Sequence, residues 1–569
     1  MSELKIWRIN TRTQEFHQQP VPSTWLKTGG RGLSARILLD EVPPACDPLG
    51  RHNKLVYAPG LFVGHMLTSC DRISIGGKSP LTGGIKESNA GGTTGMALVM
   101  LGIKTLILED LSDDNKWWAL HLSTAGVRFD PADELLGKGI YETTSLLLKK
   151  YGDKVATSVI GPGGEMQMLT AGVVNMDKDH NPTRINARGG LGALMGSKHI
   201  KAIVVDSTGG ERQPIADPEA YKAVQKVLNK AVLDHPQTHA YHDLGTAGNT
   251  NMINFLGALP TRGFSEGRFE GAENISGEHM VETIKQRSGE GRVWHACMPG
   301  CIILSSNVFA DTCGRQIVAP MEYETIGLMG SNLGIDDLDV IAQLNWQAND
   351  IGIDTIDVGA AIGVAGRAGL FKWGDSKHAL ALMDEIRKGT PMGRLLSSGA
   401  GITGKVLGVR QVPVVKNQAS AAYDGRAVKG TGVTYATSPM GADHTCGLTF
   451  RAKVDHLKPE GQVALSRTGQ INMAGYDTLG SCIFAGFGFG AVPECVPGLI
   501  KAQYGWDVPA DYLQVLGKET LKIEREFNRQ AGFTAKDDRM PEWMTEEPLP
   551  PHNVVFDVPP EKLDTLFNW

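Results

Sequence analysis

Apolar and polar residues follow two different rhythms along the chain. Over the first two hundred residues the apolar ones come in short runs rich in Val, Ile and Leu, as at 54–58, 105–108 and 200–205, the length and composition of β-strands. Glycine clusters separate them: Gly29-Gly30-Arg31-Gly32, Gly76-Gly77, Gly83-Gly84, Gly91-Gly92, Gly161-Pro162-Gly163-Gly164 and Gly189-Gly190 with Gly192. Beyond 207–214 apolar positions recur at helical spacing, at 218–233, 338–351 and 377–388. A glycine-rich, β-branched passage at 401–415 interrupts this rhythm, and 512–530 resumes it. The pattern predicts an α+β protein with a β-rich domain at 1–213, a mainly helical domain at 214–408 and a mainly helical C-terminal domain at 409–569. No internal repeat is evident in the residues themselves.

Length agrees with several domains, since 569 residues exceed what one hydrophobic core holds, roughly 250–300 residues. Seventy glycines without a fixed period exclude collagen and point to many special turns or close backbone approaches. Several glycine loops in one region suggest an extended anionic ligand gripped by backbone amides, although each cluster alone also fits a hairpin turn. The net charge of −6 is spread along the chain with no basic block, which argues against nucleic acid as a partner. Residues 1–10 show no basic and apolar leader, and no apolar run approaches the roughly 18 residues of a membrane span, so a cytoplasmic protein with no membrane partner is expected. Eight cysteines are too sparse for a disulfide scaffold, and in a reducing compartment they are free to bind metal.

Two of them form Cys297-Met298-Pro299-Gly300-Cys301, thiols four positions apart around a turn, which fits an iron–sulfur ligand loop or two buried free thiols. Cys482 follows Asp477 and Gly480 in a polar, turn-forming setting and is a candidate distant ligand. Among acid–base groups, Glu322 and Glu324 lie shortly after the cysteine loop, and His444 sits in Gly441-Ala442-Asp443-His444.

In this order the motifs resemble the aldehyde:ferredoxin oxidoreductase family from one end of the chain to the other. The resemblance rests on Thr28-Gly29-Gly30-Arg31-Gly32-Leu33, on Arg72 with Lys78-Ser79-Pro80-Leu81-Thr82-Gly83, on Asn89-Ala90-Gly91-Gly92, and on Ile160-Gly161-Pro162-Gly163-Gly164-Glu165. It continues through Ala187-Arg188-Gly189-Gly190-Leu191-Gly192-Ala193-Leu194-Met195-Gly196-Ser197-Lys198, Glu322-Tyr323-Glu324, Gly352-Ile353-Asp354, Gly441-Ala442-Asp443-His444 and Asp477-x-x-Gly480-x-Cys482. It implies a tungsten or molybdenum held by two pyranopterins, with no protein side chain on the metal and a magnesium ion joining the pterin phosphates. Asn89, Gly91, Gly92, Arg188, Gly189, Gly190 and Gly192 would line those phosphates. Arg72 would stand between pterin and cluster. The turns bearing Asn349 and Asp354, and Asp477 and Gly480, would accept hydrogen bonds from one pterin each.

The implied reaction oxidises an aldehyde to a carboxylic acid with water. Glu324 would act as general base and His444 as hydrogen-bond donor to the aldehyde oxygen, with Asp443 a neighbour expected to matter less. Electrons would leave through a 4Fe-4S cluster to ferredoxin or another iron–sulfur electron carrier. A same-fold reductase or oxo-substrate enzyme with another electron partner, or a pterin-binding subunit without a cluster, are the alternatives.

Three positions depart from the family pattern. Trp294 stands where its C-x-x-C-x-x-x-C loop has the first cysteine, leaving Cys297, Cys301 and Cys482. Cys70, His295, or an exogenous thiolate or water would supply the fourth ligand, with Cys70 preferred; in the alternative the loop holds no cluster and Trp294 fills its cavity. Asn349 replaces an aspartate in the first pterin turn. Gln343 replaces the glutamate of an interfacial iron found in some relatives, so that iron is not expected, while a homodimer stays open.

Overall fold

A computed structural model describes residues 4–569. Its first two hundred residues carry two six-stranded mixed sheets. In the first, β1 (Lys5–Asn10) and β2 (Glu15–Pro20) form a hairpin, and β3 (Leu55–Pro59), β4 (Ile73–Lys78) and β5 (Ile85–Ala90) form a meander. Strand β6 (Ile103–Glu109) inserts between the two, parallel to β1 and antiparallel to β3, giving the order β2-β1-β6-β3-β4-β5.

The second sheet repeats this plan strand for strand. Its hairpin is β7 (Trp118–Ser123) with β8 (Gly126–Pro131), and its meander is β9 (Ala156–Val159), β10 (Val173–Asn175) and β11 (Arg184–Asn186). Strand β12 (Ile200–Val205) inserts parallel to β7 and antiparallel to β9, and the order is β8-β7-β12-β9-β10-β11. The expectation of no internal repeat is therefore corrected. Strand pairing needs only apolar residues at the right period, not particular ones, so a fold can be duplicated with no visible repetition of residues.

Each half closes in the same way. The last meander strand runs through a glycine turn into a short helix and then into the inserted strand: β5, Gly91-Gly92, helix Thr94–Met100, β6; and β11, Gly189-Gly190, helix Leu191–Ser197, β12. The two last strands meet across the sheets, where Asn186 donates to the carbonyls of Ser88 and, at 3.3 Å, Ile73. The two glycine turns are thereby brought to one place.

The rest is mainly helical. The helices Pro218–Leu233, Leu338–Ile351 and Tyr512–Gln530 have the bounds their periodicity predicted, and Ser376–Lys388 begins one residue earlier. Asp217, Asp337 and Asp375 cap three of them by accepting from backbone N–H groups of the first turn. Helices Gln462–Leu479 and Tyr512–Gln530 pack on each other and on Gly30–Glu41. Arg31, buried in that last helix, donates to both carboxylate oxygens of Glu524 (2.7 and 2.9 Å) and to Asp477 (3.2 Å), so one guanidinium joins three helices across the β and helical parts. Among the described residues no single helix is long and apolar enough to cross a membrane.

Candidate active site

Where the two glycine turns meet the helical part, the chain encloses a cavity of about 420 Å³. One half of the duplicated fold contributes Asn89, Ala90 and Gly91, and the other contributes Ile185, Ala187 and Arg188 from the matching place. The helical part adds Glu324, Asn349, Asp354, His444 and Asp477, and Arg72, Cys297 and Cys482 lie in the same wall.

Gly92, Gly189, Gly190, Gly192 and Gly480, expected to line the ligand, stand behind this wall. A Cβ on Gly190 would lie 2.6 Å from the Leu169 carbonyl oxygen and 2.7 Å from the Pro80 ring, and one on Gly192 would lie 2.2 Å from the Gly172 carbonyl oxygen. Gly190 also has φ +78° and caps the helix that follows. Gly190 and Gly192 are glycine where chain crosses chain.

Glu324 opens the helix Tyr323–Met329, and its Oε2 accepts from the Ala422 N–H at 2.8 Å. The Tyr323 hydroxyl donates to the carbonyl of the same Ala422, so one residue fixes both side chains. The second oxygen, Glu324 Oε1, is buried with no hydrogen-bond partner and lies 3.4 Å from His444 Nε2. His444 Nδ1 is likewise buried without a partner, 3.8 Å from Asp443 Oδ1.

Asp443, expected to matter less than Glu324 and His444, is built into the support of the site. It pairs with the buried Lys86 at 2.6 Å, accepts from the Thr445 N–H at 3.0 Å to cap the turn that carries His444, and lies 3.9 Å from Arg188. Burial acts to raise its carboxyl, but Lys86 and Arg188 outweigh it and hold it well below the usual range. Arg188 in turn joins the cavity to the helical part through Asp354 (3.3 Å), Asp357 (3.1 Å) and the carbonyls of Ala419 and Ala442. Asp354 caps the helix Thr355–Arg367 by accepting from Ile356 and Asp357 N–H, and Asn349 lies in the helix before it.

On the opposite side, burial pushes Asp477 up to about 6 against the pull of Arg31. Beside it is a residue that sequence reasoning missed. Glu87, on β5, points one carboxylate oxygen into buried space without a partner, and burial next to Asp477 pushes it up to about 8. Arg184 was missed too: it lines the cavity, donates to Ser306 (2.9 Å) and Asp177 (3.1 Å), and keeps a buried Nε–H unpartnered. Glu87 sits two residues before the motif position Asn89, so strand alternation along β5 was the available signal for it.

The cysteine loop is tied to both halves of the cavity. Gly92 N–H donates to the Cys297 carbonyl at 2.8 Å, and a Cβ on Gly91 would lie 2.8 Å from that same oxygen. Ser69 bridges the two cysteine segments, its N–H donating to the Gly300 carbonyl (3.2 Å) and its carbonyl accepting from Cys482 N–H (2.8 Å). The Cys297 thiol donates to the Cys301 sulfur, which pushes Cys301 down to about 6 and Cys297 up. Arg72, whose Nε donates to Asn89 Oδ1, lies beside Cys482 and Cys297. Trp294 does not fill a cavity here: it is 54% exposed and stacks on His242 at 5.3 Å. His295 is held by Arg184 (2.8 Å) and Asp179 (2.9 Å), and the buried Cys70 donates to the Thr68 carbonyl at 3.1 Å. Gln343 is exposed on the helix Leu338–Ile351.

Comparison with known families settles the kinship. Residues 6–207 match the model of the aldehyde ferredoxin oxidoreductase N-terminal domain, and residues 222–567 match that of domains 2 and 3 of the same enzymes. The chain belongs to the aldehyde ferredoxin oxidoreductase family. It is 32% identical to the tungsten-containing aldehyde ferredoxin oxidoreductase of Thermococcus kodakarensis over 95% of this chain and 91% of the relative, and 31% identical to that of Pyrococcus furiosus over the same shares. It is 26% identical to the WOR-like subunit of an aliphatic sulfonate oxidoreductase from Pyrococcus furiosus, over 87% of this chain and 81% of that one. The BamBC active-site complex of benzoyl coenzyme A reductase has the same fold, with TM-score 0.81 and 19% identity over 99% of this chain and 93% of that one. The chain is thus an oxidoreductase of the aldehyde ferredoxin oxidoreductase type, with a β-rich N-terminal region and a mostly helical remainder as its hydropathy pattern predicted.

The residues present fit a family cofactor made of two like halves. The duplicated strand–turn–helix units offer Asn89 and Arg188 just before their glycine turns, and each side adds buried acceptors, Asp354 with Asn349 and Asp477 with Glu87. Unpartnered buried oxygens and nitrogens around one cavity are what a polar ligand of that size would satisfy.

Proposed function

We propose that the protein oxidises an aldehyde to a carboxylic acid with water at a tungsten or molybdenum bis-pyranopterin, with Glu324 and His444 as the reacting side chains. The observation that carries this reading is Glu324 Oε1, buried without a hydrogen-bond partner and 3.4 Å from Nε2 of a His444 whose Nδ1 is likewise buried and unpartnered, both residues lining the cavity. When bound, the metal–pterin group supplies the two-electron sink and polarises the substrate.

The remaining work falls to the chain. The reaction adds the oxygen of water to the aldehyde carbon and releases two protons and two electrons. Glu324 takes one proton on Oε1, the oxygen that no backbone group occupies, while Ala422 holds Oε2 and so fixes the carboxylate plane. His444 donates to the aldehyde oxygen as negative charge grows on it, and Asp443, fastened by Lys86, keeps the imidazole in place. Arg188 and Asn89 would hold the two pterin phosphates, which magnesium would bridge, and Asp354, Asn349 and Asp477 would accept from the pterin rings. Cys297, Cys301 and Cys482 would hold a cluster, with Arg72 beside it, that would supply one-electron transfer to ferredoxin or another iron–sulfur carrier in a reducing compartment. The test is turnover of an aldehyde panel with a low-potential dye by anaerobically purified protein of known tungsten, molybdenum and pterin content. Metal-replete protein that oxidises no aldehyde would refute the reading.

A further inference from the structure

We propose that the cysteine site holds an iron–sulfur cluster through three thiolates, Cys297, Cys301 and Cys482, and leaves its fourth iron without a thiolate, so that this iron is selectively removable. The proposal deepens the reading above and rests on it.

The backbone brings these three cysteines together. Ser69 joins Gly300 to Cys482 by two main-chain hydrogen bonds of 3.2 and 2.8 Å, and the Cys297 carbonyl is pinned by Gly92 at 2.8 Å. Cys297 and Cys482 both open on the cavity, and Arg72 stands beside them as a half-buried cation suited to the charge of a thiolate-bound cluster.

No fourth thiolate is placed to join them. Position 294, three residues before Cys297, carries an indole that offers no ligand, turned outward to stack on His242 with 12° between the rings. His295 has both ring nitrogens engaged, by Arg184 at 2.8 Å and Asp179 at 2.9 Å. Cys70 lies in an apolar cluster with Leu61, Leu67 and Tyr221, and its thiol is committed to the Thr68 carbonyl at 3.1 Å. A cluster iron needs a ligand for which the protein supplies no sulfur here, and a non-thiolate ligand holds iron less firmly.

The balanced consequence is a one-electron oxidation in which ferricyanide takes one electron and the cluster releases one ferrous ion, passing from a four-iron to a three-iron form. In holoenzyme purified anaerobically, iron should fall by about one per chain on ferricyanide treatment with a chelator, from about four to about three. The electron paramagnetic resonance signal of an oxidised three-iron cluster should appear, tungsten and pterin should stay constant, and ferrous ion with a thiol reductant should reverse the change. Cys70→Ser should keep the same iron content and the same removable iron, whereas Cys482→Ser should lose iron. Four irons that resist oxidation would overturn the proposal, as would loss of iron in a folded, pterin-replete Cys70→Ser variant. Pterin-replete protein without iron would overturn it and leave the pterin reading standing; protein with neither pterin nor iron would overturn both.

Discussion

At the scale of single residues, the site separates groups that face the cavity from groups that hold them there. Glu324→Gln should keep the metal and pterin and lose turnover, because an amide cannot take the proton. His444→Ala should lower kcat/KM by about 10²-fold or more, which steady-state kinetics on metal-matched protein would measure. Asp443→Asn should cost about 3–5 kcal/mol in denaturant unfolding, because it leaves the buried Lys86 and Arg188 charges poorly compensated. An unfolding midpoint like that of the parent would show that the charge does not anchor the turn. Glu87 makes a pH prediction for cofactor-free protein. Its folded value of about 8 lies above the ordinary 4.5, so the folded chain retains a proton that the unfolded chain releases. The stability tied to that proton is fully present below about pH 4.5 and is lost as pH rises through 8. Glu87→Gln should flatten this decline in urea midpoints between pH 5 and 8, and an unchanged slope would assign it elsewhere. Neither Glu87 nor Arg184 stood out in the sequence, since a lone acid or base in a strand is ordinary until burial and the lack of a partner set it apart.

At the scale of elements, the glycine turns and the apolar periods explain why so much was legible. The apolar periodicities announced their helices, and in the structure Asp217, Asp337 and Asp375 cap three of them, satisfying backbone N–H groups of the first turn. The glycines were read as special turns, and at Gly190 and Gly192 the close approach of another chain segment accounts for them. Gly190→Val should therefore destabilise the protein even when no cofactor is bound, by about 1–2 kcal/mol for the left-handed backbone and about 1–3 kcal/mol for the clash with Leu169 and Pro80. Thermal unfolding of metal-free parent and variant distinguishes the two explanations: a clash lowers both forms, whereas ligand space alone would leave the metal-free form unchanged.

At the scale of the whole molecule, two copies of one six-stranded plan meet at β5 and β11 and aim two turns at one cavity, and the helical remainder closes it with Glu324, His444 and Asp354. A pseudo-symmetric base suits a pseudo-symmetric ligand, so purified protein should carry about two pterins for each tungsten or molybdenum. Metal analysis with pterin release would measure that ratio, and a ratio near one would break the correspondence between fold and cofactor. Asn89→Ala and Arg188→Ala should each lower pterin content, the second more, because Arg188 also bonds Asp354, Asp357 and two carbonyls of the helical part.

What the sequence determined by itself was local or ordered along the chain: the strand and helix periods, the glycine turns, the two-thiol loop and the series of motifs that placed the chain in its family. These need only neighbours within a few residues or a linear order, and both are written in the chain. What tertiary structure alone decided depended on residues far apart. Trp294 proved to be a surface residue stacked on His242, Asp443 a buried partner of Lys86, Gly190 a crossing point with Leu169, and the first two hundred residues a duplication. Burial, charge compensation and close approach are properties of pairs brought together by folding, so no single position along the chain could announce them.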